Sequence, residues 1–312
     1  MAWTPLHTRA ALALGAQWAG QKRFFDAHEA WELAWLRCDP GPLREGIRGL
    51  VQVAAAQHHR RKQNYKGHAQ LQQRGLQRLN RPEVTEVLSD YWRTSSLQLW
   101  LEDVDAHDFP QLPPYLTPPF VLLAGGHGKR AGGPKALKTI DNQRLWRWQV
   151  RQMFAAGASQ VVAILHPDCW PEAQRSHNHA QLTVIASDPD ATQFASLQQA
   201  LQILQNQDVF VLPVDCPLPP VEVVHALQFA HLDAVARARS TQAFVPTTAI
   251  GSALRMGHPV ILMAEFCAHL VQLPAESARL DVELRNLGQR RAEVPVAHAA
   301  ILANFNADGV GR

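Results

Sequence analysis

Four short apolar runs constrain the fold of this chain more than any other feature of its 312 residues. They lie at residues 120–124, 161–165, 182–186 and 209–212. Each is rich in β-branched and other apolar side chains, the composition of a buried strand. Helical periodicity marks residues 145–154, 194–204 and 221–229. Because strands that alternate with helices at this spacing form βαβ units, the sequence predicts an α/β domain with a doubly wound, mostly parallel sheet.

The residues before these runs repeat with helical periodicity and show no strand-like alternation. Leu6, Ala10 and Leu14, for example, recur every four residues. Between the two parts, five of the ten residues at 110–119 are proline, which cannot continue a helix and favours an extended, semi-rigid linker. The sequence therefore predicts an all-α helical-bundle domain at 1–109, a proline-rich linker at 110–119 and the α/β domain at 120–312.

Composition excludes several classes of protein. The 30 Lys and Arg nearly balance the 27 Asp and Glu, and both parts of the chain are close to neutral, so no nucleic-acid partner is predicted. The four cysteines are scattered without a C-x-x-C pair, which excludes a zinc ribbon and gives no sign of a disulfide framework. No apolar run is long enough for a membrane span, and the first residues lack a secretory pattern. We therefore expect a cytoplasmic protein without a membrane partner.

A glycine-rich loop directly after the first apolar run is the strongest chemical signal. Five glycines occur within the nine residues 125–133. Glycine lets backbone N–H groups approach phosphate oxygens and permits positive φ angles. Lys129, Arg130 and Lys135 add positive charge around this loop. Since ligands bind at the carboxyl ends of parallel strands, the loop is predicted to bind a phosphate group.

Two common phosphate-binding loops do not fit this segment. A Walker A loop requires Ser or Thr after its lysine, whereas Ala136 follows Lys135. A dinucleotide fingerprint requires a helix to open within the loop, and Pro134 interrupts that helix.

The segment at 123–135, L-A-G-G-H-G-K-R-A-G-G-P-K, resembles the signature of MobA-like nucleotidyltransferases, the molybdenum-cofactor type. The resemblance implies a Rossmann-like fold of the nucleotide-diphospho-sugar transferase type, with a loop that surrounds a triphosphate. It implies that Arg130 and Lys135 are catalytic and neutralise charge on the α-phosphate and the pyrophosphate leaving group. The nucleotide-binding residues that it implies are Leu123, Ala124, Gly125, Gly126, Gly128 and Lys135.

Asp215 is the candidate metal ligand. It follows the fourth apolar run, at the edge of the sheet where a carboxylate is placed to hold Mg²⁺ against a triphosphate. The resembled family has its metal-binding Asp in the same V-x-D-x-P setting. The chain near 301–308 resembles a terminal N-x-N-T-P-E-D segment of that family but lacks the Thr-Pro. Asn306 is the second candidate ligand, through its weaker amide oxygen.

Two further residues each have two interpretations. His258 lies in a G-H-P-V segment that resembles one near the acceptor substrate in the same family, so it is a candidate acceptor-binding residue; the alternative is a structural role. Ser196 begins a predicted helix, where it either contacts the nucleotide or caps the helix.

The helical part contains its own motif, H-E-A-W-E at residues 28–32. With residues 47–54 and His58, it resembles a small helical family of unknown function over about residues 20–80. His28 and Glu32 share one helix face, so a metal site is one alternative. The other is that Trp31 fills the core while His28 bonds a neighbour. A protein-interaction module is the role we expect for this domain.

These features together predict a Mg²⁺-dependent nucleotidyltransferase. It would transfer a nucleoside monophosphate from GTP or CTP to a phosphorylated small-molecule acceptor, with release of pyrophosphate, and the resemblance implies that this acceptor is molybdopterin. Within the resembled family, L-A-G-G is similar to the guanylyl branch, which implies GTP, whereas G-H-P and Ser196-Leu197 are similar to the cytidylyl branch, which implies CTP. The alternatives are a sugar-phosphate nucleotidyltransferase and a nucleotide-binding regulator weakened by the altered C-terminal segment.

Overall fold

A computed structural model describes residues 2–102, 109–128, 132–174, 180–188 and 190–305. The chain divides into two compact units. The first runs to Tyr115 and also takes in Leu232–Ala238, and the second comprises Leu116–His231 and the chain from Arg239 onward. Two predicted site residues, Arg130 and Asn306, lie outside the described residues.

The first unit begins with six α-helices in its described residues. They are α1 (Pro5–Gly20), α2 (Phe24–Arg37), α3 (Pro42–Arg61), α4 (Tyr65–Leu79), α5 (Pro82–Leu88) and α6 (Thr94–Glu102). Proline occupies the first position of α1, α3 and α5, where its missing N–H group would have had no partner inside the helix. The prediction of an all-α region before the sheet is confirmed.

Trp31 is a core residue of this helical unit. Its ring is fully buried, and its Nε1 donates a hydrogen bond to the carbonyl oxygen of Leu12 at 3.2 Å. Gly15 on α1 faces the ring, and a Cβ atom there would overlap the indole. The aromatic ring of Phe109 lies 5.2 Å from that of Trp31 and 4.6 Å from that of Trp100, measured between centroids. Aromatic packing therefore holds α1, α2 and α6 together.

The second unit is an α/β domain. Its strands are β1 (Phe120–Ala124), β2 (Thr139–Ile140), β3 (Gln143–Arg144), β4 (Val161–Leu165), β5 (Leu182–Ala186), β6 (Val209–Pro213), β7 (Ala243–Ile250), β8 (Ala253–Met256), β9 (Val260–Leu262) and β10 (Arg291–Pro295). Its helices are α7 (Leu145–Ala155), α8 (Trp170–Gln174), α9 (Gln193–Ile203), α10 (Val221–Ala236, which continues into the first unit), α11 (Ala264–Val271) and α12 (Leu280–Asn286).

The main sheet has the strand order β10-β7-β9-β6-β1-β4-β5, with β8 paired to β7, and β2 and β3 form a separate hairpin. The four predicted strands are β1, β4, β5 and β6, and they are parallel neighbours. The short strand β9 is antiparallel to both β6 and β7. The mostly parallel sheet is confirmed. The antiparallel strands were not predicted, because the three apolar residues of β9 are too few to give a periodic signal.

The centre of the sheet positions the site. Strands β1 and β6 run in parallel, and Leu123 is paired with Pro213, so their carboxyl ends open at the same edge. Helix α9 covers one face, where Leu197 and Leu201 pack among the buried side chains of β1, β4 and β6. Within the described ranges, the structure contains no helix long and apolar enough to cross a membrane.

The proline-rich stretch has specific contacts on each side of the division between the units. In the first unit, Trp92 Nε1 donates to the carbonyl oxygen of Pro110 at 2.9 Å. In the second, the backbone N–H of Leu116 donates to the carbonyl oxygen of Gly157 at 2.8 Å. Both ends of the stretch are thus hydrogen-bonded to the unit in which they lie.

Candidate active site

The glycine-rich loop begins in close contact with the ends of β5 and α9. Ser187 Oγ donates a hydrogen bond to the carbonyl oxygen of Gly125 at 3.1 Å. A Cβ atom at Gly125 would overlap the side chain of Ser187 and come close to the hydroxyl of Ser196. Glycine is therefore required at position 125 for the loop to approach both serines.

Gly128 allows the loop to fold back on itself. Its φ angle is +60°, a left-handed conformation, and a Cβ atom there would overlap the carbonyl oxygen of Gly133. The backbone N–H of Gly133 in turn donates to the carbonyl oxygen of Gly128 at 3.3 Å. This return brings Lys135 to the edge of the sheet.

We expect Gly128→Ala to weaken nucleotide binding by about tenfold or more, since the strain and the overlap together exceed about 1.4 kcal/mol. Gly132→Ala is the matched control, because Gly132 also has positive φ, +76°, but its Cβ would meet no atom of the described residues within 4 Å. Calorimetric titration with nucleoside triphosphates checks both variants. Equal affinities for the two variants would contradict the importance of the Gly128–Gly133 contact.

Lys135 and Asp215 form an ion pair where β1 and β6 end. Lys135 begins a short 3₁₀ turn after the loop, and its Nζ donates to Asp215 Oδ2 at 2.6 Å. The side chains are 22% and 25% exposed, so the pair is mostly shielded but still open to a ligand. Asn304 Nδ2 approaches the same oxygen at 3.4 Å, and the N–H of Phe305 donates to the backbone carbonyl of Asp215 at 2.6 Å. The predicted C-terminal segment thus returns to Asp215.

Gln149 on α7 fixes the backbone around Asp215, a role that the sequence did not indicate. Its fully buried Nε2 donates to the carbonyl oxygens of Val214 at 3.1 Å and Cys216 at 2.6 Å. Its Oε1 accepts from the N–H of Leu218 at 3.1 Å. The amide thus holds the residues on both sides of the carboxylate.

We expect Gln149→Leu to lower the free energy of unfolding by about 2–4 kcal/mol, because it leaves buried backbone groups without partners. Since Asp215 would lose its backbone support, the kcat of the folded variant should also fall about tenfold. Thermal unfolding and pyrophosphate release at a temperature where the variant remains folded measure the two effects. Gln152→Leu, on the same helix, is the control; an unchanged kcat for folded Gln149→Leu would assign Gln149 to stability alone.

Cys216 next to Asp215 is not an activated thiol. Burial, with a further contribution from the Asp215 carboxylate, raises its pKa to about 12. The side chain is therefore protonated at neutral pH, as expected of a small packing residue.

Ser196 does not cap its helix. The N-cap of α9 is Thr192, whose Oγ1 accepts from the N–H of Ala195 at 3.1 Å. Ser196 lies within the first turns of the helix, and its own N–H bonds the carbonyl oxygen of Thr192. The capping interpretation is therefore wrong, and the buried Ser196 lies beside Gly125.

A cavity of about 250 Å³ brings these residues together. Its lining includes Leu123, Ala124, Gly125, Gly126, Gly128, Lys135, Ser196 and Asp215, together with Ala191, Gln193 and Val214. All predicted nucleotide-binding residues and the first predicted metal ligand are therefore on one surface. Among the described residues, this surface combines glycine backbone with one lysine next to one carboxylate, groups that are chemically suited to an anion and a metal ion.

His258 lies in an adjoining, larger cavity of about 650 Å³, which shares Leu123 and Gln193 with the first. Its ring Nδ1 is buried and has no hydrogen-bond partner among the described residues. Burial lowers the pKa of His258, opposed by the nearby Asp215 carboxylate, so the ring is neutral at neutral pH. A neutral, unpaired imidazole nitrogen can donate to or accept from a ligand in this cavity.

Two histidines near the loop were missed by the sequence analysis. His127 Nδ1 lies 3.2 Å from His166 Nε2, and His127 Nε2 lies 3.2 Å from Asp190 Oδ1. These contacts connect the glycine-rich loop with the chain that follows β4 and β5. No local pattern predicts them, since the partners are far apart in the sequence.

The structure gives no support to a metal site at His28 and Glu32 in the helical unit. His28 Nδ1 bonds Glu29 Oε1 at 3.1 Å, not Glu32. In the part of the chain that the structure describes, no group of three potential metal ligands includes His28 or Glu32.

Comparison with known families gives two matches. A family model described as a MobA-like NTP transferase domain matches residues 120–294, and a domain of unknown function, DUF309, matches residues 12–71. No curated protein matches the chain significantly.

Solved structures similar to the chain include three from bacteria. Rv0371c from Mycobacterium tuberculosis H37Rv is 19% identical, with a TM-score of 0.47, over 62% of this chain and 95% of that one. Its complex with manganese is 18% identical, with a TM-score of 0.43, over 58% and 88% of the two chains. The bifunctional IspDF from Campylobacter jejuni is 14% identical, with a TM-score of 0.47, over 59% and 50%.

Proposed function

Because the chain belongs to the MobA-like NTP transferase family through residues 120–294, we propose that it transfers a nucleoside monophosphate from GTP or CTP to a phosphorylated small molecule. The observation that carries this proposal is the cavity in which the glycine-rich loop, Lys135 and Asp215 meet. Such a surface suits a triphosphate, because backbone N–H groups and an ammonium group bind phosphate oxygens.

In the proposed reaction, a phosphate oxygen of the acceptor attacks the α-phosphorus of the nucleotide. The bond from that phosphorus to the bridging oxygen of the β-phosphate breaks, and pyrophosphate leaves. Lys135 stabilises the negative charge that develops on the phosphates, and the loop orients them. The reaction needs no protein nucleophile, which agrees with the protonated state of Cys216.

Asp215 is the residue that would hold Mg²⁺, because its carboxylate supplies the hard oxygen ligand that this ion prefers. When bound, the ion would supply positive charge to the triphosphate. Asn304 lies against the same carboxylate and belongs to the segment that contains the second proposed ligand, Asn306.

His258 would contact the acceptor, since its cavity adjoins the proposed nucleotide site. The lining combines apolar side chains such as Phe194, Val211 and Leu284 with polar groups at Gln193 and His258. A flat heterocycle with a phosphate group, such as molybdopterin, combines the same two properties.

A screen of the common nucleoside triphosphates against molybdopterin and several sugar phosphates, followed by pyrophosphate release, tests the proposal. We expect release only with one purine or pyrimidine triphosphate and molybdopterin, and only with a divalent metal. Release with a sugar phosphate alone would assign a different acceptor. Nucleotide binding that ignores Mg²⁺, without release for any pair, would indicate a regulator instead.

A further inference from the structure

A series of hydrogen bonds joins two histidines to the glycine-rich loop, and the proposed reaction does not use it. The backbone N–H of Asp168 donates to His166 Nδ1 at 3.2 Å. His166 Nε2 lies 3.2 Å from His127 Nδ1, and His127 Nε2 lies 3.2 Å from Asp190 Oδ1. We call these four residues the histidine chain. It begins in the turn after β4, passes through the loop and ends after β5.

The backbone N–H at its start sets the direction of every bond in the histidine chain. Because a backbone N–H can only donate, His166 Nδ1 accepts and carries no proton, so the proton of this neutral ring is on Nε2. Nε2 therefore donates to His127 Nδ1, which leaves His127 Nε2 as the donor to Asp190. The Asp168 carboxylate also approaches His166 Nδ1, but at 3.5 Å it lies beyond the usual hydrogen-bond length. Each ring nitrogen thus has one partner when both rings are neutral.

His127 is the side-chain anchor of the glycine-rich loop. The other loop residues that the structure describes are glycines and one proline, so His127 alone among them has a polar side chain. Gly126 and Gly128 line the smaller cavity and His127 does not, so its backbone follows the cavity wall while its ring turns away to His166. Glycine loses the most conformational freedom when a loop becomes ordered. A contact that orders the loop in advance therefore lowers the cost of binding a ligand.

The bond between the two histidines is the stronger part of this anchor. The His166 side chain is 7% exposed and that of His127 is 34% exposed, so water competes weakly for their shared bond. The Asp190 side chain is 82% exposed, and a contact at that exposure contributes little. Burial therefore identifies His166 as the group that holds His127.

We propose that His166 is a positioning residue that acts through His127 and holds the glycine-rich loop in the conformation that receives the triphosphate. This inference rests on the proposed function, because it takes the cavity beside the loop to be the nucleotide site. Neither histidine lines that cavity, so both assist binding without contact with the phosphates. Loss of such support removes binding energy that the ground state and the transition state share. It therefore raises KM and leaves kcat nearly unchanged.

Two substitutions at His166 separate the loop contact from the rest of the side chain. His166→Gln places its amide near the position of Nε2, so it keeps a donor for His127 and loses the acceptor for the Asp168 N–H. His166→Asn places its amide near the position of Nδ1, so it keeps that acceptor and loses the loop contact. Calorimetric titration with nonhydrolysable analogues of GTP and CTP should show about three- to tenfold weaker binding for His166→Asn, the effect of one hydrogen bond, and about wild-type binding for His166→Gln. Steady-state kinetics should place the same loss in KM.

A double-mutant cycle tests whether the two histidines act as one unit. His127→Ala removes the other end of the bond, so the variant H127A/H166N should bind about as weakly as His127→Ala alone. His269→Asn is the matched control, because it makes the same substitution at an exposed histidine that lines neither cavity. Circular dichroism and thermal unfolding verify that each variant is folded.

Nitrogen-15 NMR of the imidazole rings in the nucleotide-free chain provides a readout that does not depend on activity. The signals of His127 and His166 are assigned by their absence from the spectra of the variants. We expect a proton on Nε2 and none on Nδ1 in both rings.

Four results would overturn the positioning role: equal affinities of His166→Asn and the wild type, equal losses in His166→Asn and His166→Gln, additive losses in the cycle, or a proton on His166 Nδ1. Nucleotide binding that depends on His166 without pyrophosphate release for any acceptor would contradict the proposed function and support the positioning role. A wild type that binds neither nucleotide would overturn both.

Discussion

Lys135→Ala is expected to lower the rate of pyrophosphate release by about 10³-fold, because one charged group at a developing phosphate charge contributes on this scale. Among the described residues that line the cavity, Lys135 is the cation beside Asp215. Its Nζ lies 2.6 Å from Asp215 Oδ2. The variant keeps the glycine-rich loop, so nucleotide binding should weaken less than kcat falls. Steady-state kinetics and calorimetric titration separate the two effects.

Lys138→Ala is the matched control for this variant. Lys138 lies three residues further on, just after the 3₁₀ turn that contains Lys135, and does not line the cavity. It should retain wild-type turnover. Undiminished turnover of Lys135→Ala would show that the loop lysine has no role in the reaction, whereas equal losses in both variants would indicate a general effect of positive charge.

Asp215→Asn is expected to lower kcat by about 10²-fold or more and to weaken divalent-metal binding by about 10- to 100-fold. The substitution preserves the size of the side chain but removes the charge that a metal ion and Lys135 require. Mn²⁺ binding, measured by electron paramagnetic resonance with a nonhydrolysable nucleotide, reports the metal site independently of turnover.

Glu222→Gln provides the control for the lost carboxylate. Glu222 is exposed in the first turn of α10, shortly after Asp215 in the sequence. Its loss should change neither metal binding nor turnover. If Asp215→Asn bound Mn²⁺ like the wild type, Asp215 would be only the partner of Lys135, and the proposed metal site would be wrong.

The sequence predicted the parts of the fold that depend on neighbouring residues. The buried strands β1 and β4 coincide with the apolar runs at 120–124 and 161–165, because a strand covered on both faces must be apolar throughout its length. Strand β5 coincides with the run at 182–186, although it lies at the edge of the sheet and is only partly buried. The helices of the first unit were predicted from the helical spacing of their apolar residues. The glycine-rich loop was recognisable because its glycines and its basic residues lie in one contiguous segment.

Contacts between distant residues required the tertiary structure. Lys135 and Asp215 are 80 residues apart, and they meet because β1 and β6 are parallel neighbours in the sheet. Gln149 supports Asp215 from α7, and nothing in its own surroundings in the sequence marks it. Capping of α9 was one of two interpretations of Ser196, and the structure gives the cap to Thr192; sequence alone does not separate them, since several hydroxyl residues near a helix start satisfy the same pattern.

By itself, then, the sequence determined the fold class and the family to which the chain belongs, and it located the glycine-rich loop, because each depends on local composition and spacing. Only the tertiary structure decided which carboxylate meets the loop lysine and which amide holds that carboxylate. The physical reason is that strand order and helix packing set these distances, and neither can be read from neighbouring residues.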